Sequence, residues 1–148
     1  MASNLFTKSY YSLLESTLSV NDIVRLTKEN GMKSVALCDH NVMYGSIAFY
    51  RACMKNDLKP ILGLEADIVY DEYACTVILL ARNNRGYKKL VQLSTWLNTT
   101  KERLTLEEVF DTNLIMIMPS DHGIFDRDLI NYHEKDIYDK ITYIKENV

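Results

Sequence analysis

Four short apolar runs constrain this chain more than any other feature. Val35-Ala36-Leu37-Cys38, Ile61-Leu62-Gly63-Leu64, Val77 to Ala81 and Leu114 to Met118 carry almost no polar alternation. A strand with one wet face alternates apolar and polar residues, whereas a strand buried on both faces reads as a continuous apolar run. Helix signals fall between these runs. Ser19 with Asp22 three residues later forms a variant capping box before Val20, Ile23, Val24 and Leu26, and Gly31 follows as the residue that ends the helix. Ser46 to Lys55 has a helical apolar pattern through Ala48, Phe49, Ala52 and Cys53. Asn83 or Asn84 can cap a helix running to about Asn98, with Tyr87, Leu90, Val91 and Leu97 inward. Thr105 with Glu108 opens a short helix, and Ile137, Tyr138, Ile141 and Ile144 give the tail helical spacing.

Strands are therefore expected near residues 3–7, 34–38, 61–69, 75–81 and 113–118, with Pro119 stopping the last. Strands separated by helices imply parallel β/α units. The right-handed crossover rule leaves chiefly a barrel or a doubly wound sheet. The fold class expected is α/β, with mostly parallel strands and outer helices. The 148 residues suffice for one domain with a real core, and no linker or repeat divides them.

Charge and composition restrict function. The formal net charge is -3 and Lys and Arg are scattered, so the segment alone is a poor nucleic-acid binder. The three cysteines, Cys38, Cys53 and Cys75, are widely spaced without a CxxC, which reads as free thiols in a reducing cytosol. The first residues lack the basic-then-apolar pattern of a secretory signal, and no apolar run approaches membrane-spanning length. A soluble cytoplasmic protein is expected.

In parallel α/β folds, sites form at the C-terminal ends of strands. Cys38-Asp39-His40-Asn41 follows one strand and Glu65 ends another. A histidine and a carboxylate converging there could hold a divalent cation. From spacing alone the plainer reading leads, in which His40 and Asp39 make loop hydrogen bonds and Glu65 is solvated, because two candidate ligands make a weak motif. Ser120-Asp121-His122 could be read as a nucleophile with its base, but adjacent residues rarely aim at one another. His133 lies in a charged, surface-like stretch.

Four stretches resemble the PHP family in order. LFTKSYYSLLESTL from Leu5 is similar to its opening LHVHS-x-YSLLDGA, and GMKSVALCDHNVMYGSIAFYRAC from Gly31 to GM-x-x-ALTDH-x-x-MYG-x-x-FY. KPILGLE from Lys59 is similar to KPI-x-GxE, and VILLARNNRGYKKLVQLST from Val77 to LLAKN-x-x-GY-x-NL-x-x-LS. Together they cover roughly residues 5 to 95 and resemble the branch at the N-terminus of bacterial DNA polymerase III alpha subunits. The resemblance implies a distorted (β/α)7 barrel. It implies that residues 1–148 are the N-terminal portion of a PHP domain, with a polymerase core beyond. It also implies a role in DNA replication, with the remainder of the alpha subunit and other replisome proteins as partners. DNA would be met only through the full-length polymerase, a DNA-directed nucleotidyltransferase.

Complete family members hold a metal cluster with His, Asp, Glu and Cys side chains, and the ligand positions are largely dismantled here. The two histidines of the first motif fall on Phe6 and Lys8, and a later one on Thr76. Glu15, His40 and Glu65 keep donors and are vestigial metal ligands at best. The next ligand region falls near Ser120. A fixed ammonium at Lys8 opposes a cation by about 4 kcal/mol per unit charge at ~4 Å and an effective dielectric near 20. Lys8 is expected instead to pair with Glu15 or Glu65. No catalytic residue is expected in the segment, and no cofactor beyond a single weakly held divalent metal. The leading expectation is a structural and interaction module. The alternatives are a metal-dependent phosphoesterase or proofreading PHP domain, or a stand-alone PHP phosphatase.

Overall fold

A computed structural model describes residues 2–130 and 134–147; His133 lies outside them. The order is α1 (Val20–Glu29), β1 (Ser34–His40), α2 (Ser46–Lys55), β2 (Lys59–Tyr70), β3 (Tyr73–Ala81), α3 (Asn84–Thr99), β4 (Leu104–Thr105), α4 (Leu106–Val109), β5 (Leu114–Ile117), α5 (Asp126–Ile130) and α6 (Glu134–Asn147). The five strands form one sheet in the order β1-β2-β3-β5, with β4 pairing β2.

The expectation of a mostly parallel sheet is corrected. β1–β2 and β2–β4 are parallel, but β2–β3 and β3–β5 are antiparallel. The cause is local. Asp71 and Glu72 join β2 to β3 with φ of 48° and 67°, and a two-residue loop with both φ positive closes an antiparallel hairpin. Among the described residues the sheet is open rather than closed into a (β/α)7 barrel, with β1 and β5 ending its main path. The strand expected near residues 3–7 is reduced to a single parallel bridge, Asn4 to Val35. Its carbonyls still serve β1: Ala36 N donates to Asn4 O and Cys38 N to Thr7 O.

The helices form where their caps direct. Ser19 and Asp22 make the reciprocal capping box of α1, and Gly31 takes φ +67° just past its end. Asn83 accepts from Arg85 N and Gly86 N at the start of α3, and Thr105 with Glu108 boxes α4. Ala48 and Val91 are exposed, and Leu93 takes the inward place on α3. α1 and α2 pack Val20, Ile23, Val24, Phe49 and Cys53 on Val35 and Leu37. α3 packs Leu90, Leu93 and Leu97 on Leu64, Ala66, Val77 and Leu79.

The opposite face carries Ala36, Cys38, Ile78 and Leu80. Side chains alternate along a strand, so this face continues through His40 on β1, Glu65 and Asp67 on β2, and Thr76 on β3. The register aligns them: His40 lies opposite Glu65, and Asp67 opposite Thr76. Gly63 belongs to the same face, and an added Cβ would stand 2.5 Å from Cys38 Sγ and 2.9 Å from Leu79 O. The inner surface thus turns from apolar to ionic toward the C-terminal ends of β1 and β2. All three cysteines are free and buried. No helix among the described residues is long and apolar enough to cross a membrane.

Candidate functional site

At that ionic end lies a cavity of about 500 Å³, lined among others by Phe6, Lys8, Glu15, His40, Glu65 and Asp67. The N-terminal segment delivers two of its members. Its anchor is Asp39, which is almost wholly buried and accepts from Ser9 N at 2.7 Å, Ser9 Oγ at 2.8 Å and Ser12 Oγ at 2.8 Å. Ser12 Oγ in turn accepts from His40 N at 3.0 Å. Asp39 therefore serves as a clamp on the loop and does not face the cavity. The loop it holds carries Lys8 and Glu15 to the ends of β1 and β2.

There the side chains form a connected ionic chain. Lys8 Nζ lies 2.5 Å from Glu15 Oε2 and 2.5 Å from Glu65 Oε2. The contact with Glu15 is a hydrogen bond. The Glu65 oxygen is buried, and its charge is met by the Lys8 ammonium. His40 places Nδ1 2.5 Å from Glu15 Oε1 and Nε2 2.9 Å from Asp67 Oδ1. Asn41, at φ 60°, donates to Asp67 Oδ2 at 3.0 Å and accepts from Asp67 N at 2.9 Å. Ser94 and Asn98 of α3 fix the Asn41 carbonyl.

Lys8, Glu15, His40 and Asp67 are each shifted toward the charged form. The Asp67 hydrogen bond, opposed by burial and reinforced by Glu15, pushes the His40 imidazole up to about 9. His40 in turn holds Asp67 below the usual carboxylate range against burial, with help from Asn41 and the charge of Arg103. Burial pulls the Lys8 ammonium down, but Glu15 and Glu65 outweigh it and the net shift is upward. Burial raises Glu15, and Lys8 and His40 overcome it to leave the carboxyl lowered. Two cations thus face three carboxylates.

The structure brings together Lys8, Glu15, His40 and Glu65, all singled out in the sequence. The ligand atoms of Glu15, His40 and Glu65 lie within 4.8 Å of one another, close enough to share a cation; the cation between the two glutamates is the Lys8 ammonium. Phe6 lies under it, with Nζ 5.3 Å from the ring centroid. Thr76 lines the cavity and donates its N–H to His122 O at 2.7 Å. Asp121 and His122 reach the cavity from the far side, but their side chains are 87% and 81% exposed. They touch each other at 3.5 Å, while His122 N donates to Asp126. Two members were missed in the sequence, Asp67 and Arg103. Asp67 had a signal: it lies two residues beyond Glu65 on one strand and so shares its face.

The sequence pattern of the PHP domain matches residues 4–148. The chain belongs to the PHP family. Among curated proteins, this PHP chain is 39% identical over 113 residues to a DNA polymerase III subunit alpha of Ureaplasma parvum, covering 76% of the chain and 11% of that protein. It is 36% identical over 95 residues to the same subunit of Streptococcus pyogenes, covering 64% and 9%. A Halalkalibacterium halodurans counterpart is 34% identical over 121 residues, covering 78% and 11%. The chain thus spans about a tenth of the length of these relatives. Two solved structures share the fold. One, from Bifidobacterium adolescentis and described as a metal-dependent phosphoesterase, has a TM-score of 0.50 at 17% identity and covers 61% of this chain and 32% of its own. An amidohydrolase from Chromobacterium violaceum has a TM-score of 0.55 at 15% identity, covering 66% and 34%.

Proposed function

We propose that this PHP chain is the N-terminal part of a replicative DNA polymerase III alpha subunit, acting in DNA replication as a structural and interaction module for the polymerase core. The observation that carries the reading is the engagement of the site's carboxylates. Glu15 and Glu65 are paired to Lys8, and Asp67 to His40. A phosphoester hydrolase needs an activated nucleophile and a group that stabilises the charge developing in the transition state. Here each acid is already engaged by a basic neighbour within the cluster. The likeness to polymerase alpha subunits over most of the chain supports placement in replication.

On this reading the principal partner is the remainder of the alpha subunit. Other replisome proteins are further candidates, and the working compartment is the cytoplasm. DNA is reached through the longer polymerase, in keeping with the segment's net charge of -3.

The alternative is a hydrolytic or proofreading PHP domain, favoured by Asp121 and His122 lining the same cavity as His40. Two assays separate the readings. The purified segment is expected to leave a model phosphodiester intact in manganese or zinc, while the longer polypeptide carrying it extends a DNA primer. Hydrolysis that is lost on His40→Ala would establish the alternative.

A further inference from the structure

The cleft has the outline of a cation site, and the cations in it are side chains. A divalent ion bound to carboxylate oxygens sits about 2.0–2.6 Å from them. Lys8 Nζ already stands 2.5 Å from one oxygen of Glu15 and 2.5 Å from one of Glu65. An ion bridging those same oxygens would have to displace the ammonium, which the two acids hold from opposite elements. His40 offers no vacancy either. A metal-ligating imidazole needs one ring nitrogen with a free lone pair. Both of its nitrogens lie against acceptor-only carboxylates, Glu15 at 2.5 Å and Asp67 at 2.9 Å. Of the remaining positions that the family uses, Phe6 has no donor atom, and the Thr76 hydroxyl faces the His122 carbonyl at 3.5 Å. The residues present do not fit the metal cluster that the family implies.

The same geometry shows what the side chains do there. The N-terminal segment meets the sheet through one isolated bridge, two backbone hydrogen bonds to β1 and the clamp of Ser9 and Ser12 on Asp39, and the ionic chain adds ties beyond these. Lys8 ties this segment to β2 through Glu65, and Glu15 ties it to β1 through His40. His40 then joins β1 to β2 through Asp67. We infer that the Lys8–Glu15–His40–Asp67 chain, closed on Glu65, stands in place of the family's metal ions as the cross-link of this end of the fold, and that the site accepts no divalent cation. This deepens the proposed non-catalytic role but fails separately from it. Metal retained without hydrolysis would sink the inference and leave the module reading intact.

The experiment combines metal analysis with thermal unfolding of the unmodified chain, dialysed without chelator. The expected result is far less than one zinc or manganese per chain and one melting temperature in EDTA, Mn²⁺ and Zn²⁺. Stoichiometric metal surviving dialysis, or a lower melting temperature in EDTA, overturns the inference. That holds whether the metal is then lost with His40→Ala or with His122→Ala. The second arm returns family donors through Phe6→His with Lys8→His. This variant is expected to gain a zinc-dependent rise in melting temperature, on the order of 5 °C when zinc exceeds its dissociation constant about a hundredfold. A folded double variant indifferent to zinc removes Lys8 as the excluding group and also overturns the inference. Should the double variant not fold, the metal content and melting of the unmodified chain decide the matter alone.

Discussion

The Lys8 ammonium lies 2.5 Å from Oε2 of Glu65, a buried oxygen whose loss of water is offset by that cation. Removing a partner from such a pair leaves an uncompensated buried charge, which costs more than the pair itself contributes. Lys8→Met is therefore expected to destabilise the domain by about 2–4 kcal/mol, somewhat below the cost at a fully dry pair because the Lys8 side chain is 23% exposed. Lys8→Met with Glu65→Gln should recover part of that loss. Urea unfolding of the two single variants and the double variant measures the coupling. Additivity of the two single effects would show that the contact carries no energy.

The pH dependence of stability follows from the same cluster. His40 is raised from 6.5 to about 9 in the folded chain. Its contribution is fully present below its unfolded value and is lost as pH rises through about 9. Glu15 and Asp67 are lowered, so their contributions are present above their ordinary values and are lost as pH falls through the folded ones. Stability should hold a plateau between these limits and decline on the alkaline side before lysines titrate. His40→Gln should flatten the decline between pH 6.5 and about 9. An unchanged alkaline limb in that variant would remove His40 as its source.

Much of this arrangement was legible in the sequence, for reasons that differ by residue. The apolar runs located β1, β2, β3 and β5 because burial on both faces leaves no polar alternation to confuse them. The caps at Ser19, Asn83 and Thr105 were legible because a side-chain oxygen three residues from its partner is a local feature. Strand direction was not. The connection between β2 and β3 is Asp71-Glu72, which lacks the glycine that usually marks a two-residue turn, so one hairpin read as two separate strands. In the site, Lys8 and Glu15 were found through family motifs. The loop hydrogen bonds of Asp39 were expected in kind, but its serine partners were not legible, because they lie about 30 residues away on a loop with no periodic signal.

Gly63 should tolerate no side chain. Its added Cβ would stand 2.5 Å from Cys38 Sγ, 2.8 Å from Leu80 Cδ2 and 2.9 Å from the Leu79 carbonyl. The last is backbone of the paired strand and cannot rotate away. Overpacking of this kind typically costs about 1–3 kcal/mol. Gly63→Ala should fall at the upper end, because both neighbours of the inner face, Cys38 and Leu80, are buried. Equilibrium unfolding checks the size. A Gly63→Ala variant as stable as the parent would mean that the sheet separates here more easily than its packing implies.

The hairpin offers a change in the opposite direction. Glu72 is exposed and holds φ at 67°, in the left-handed region where any residue with a Cβ is strained. Asp71, at φ 48°, also lies 3.7 Å from Lys140 of α6, so substitution there would disturb a second contact. Glu72 is the cleaner position. Glu72→Gly removes the strain while freeing the unfolded chain somewhat, and the difference should stabilise the domain by about 0.5–1 kcal/mol. Glu72→Val, β-branched and poorly suited to positive φ, should destabilise by a similar or larger amount. Both turn residues lie away from the ionic cluster, so neither change should alter the pH profile assigned to His40. A Val variant equal in stability to the Gly variant would show that the turn does not hold this conformation in solution, and the antiparallel pairing of β2 with β3 would need another explanation.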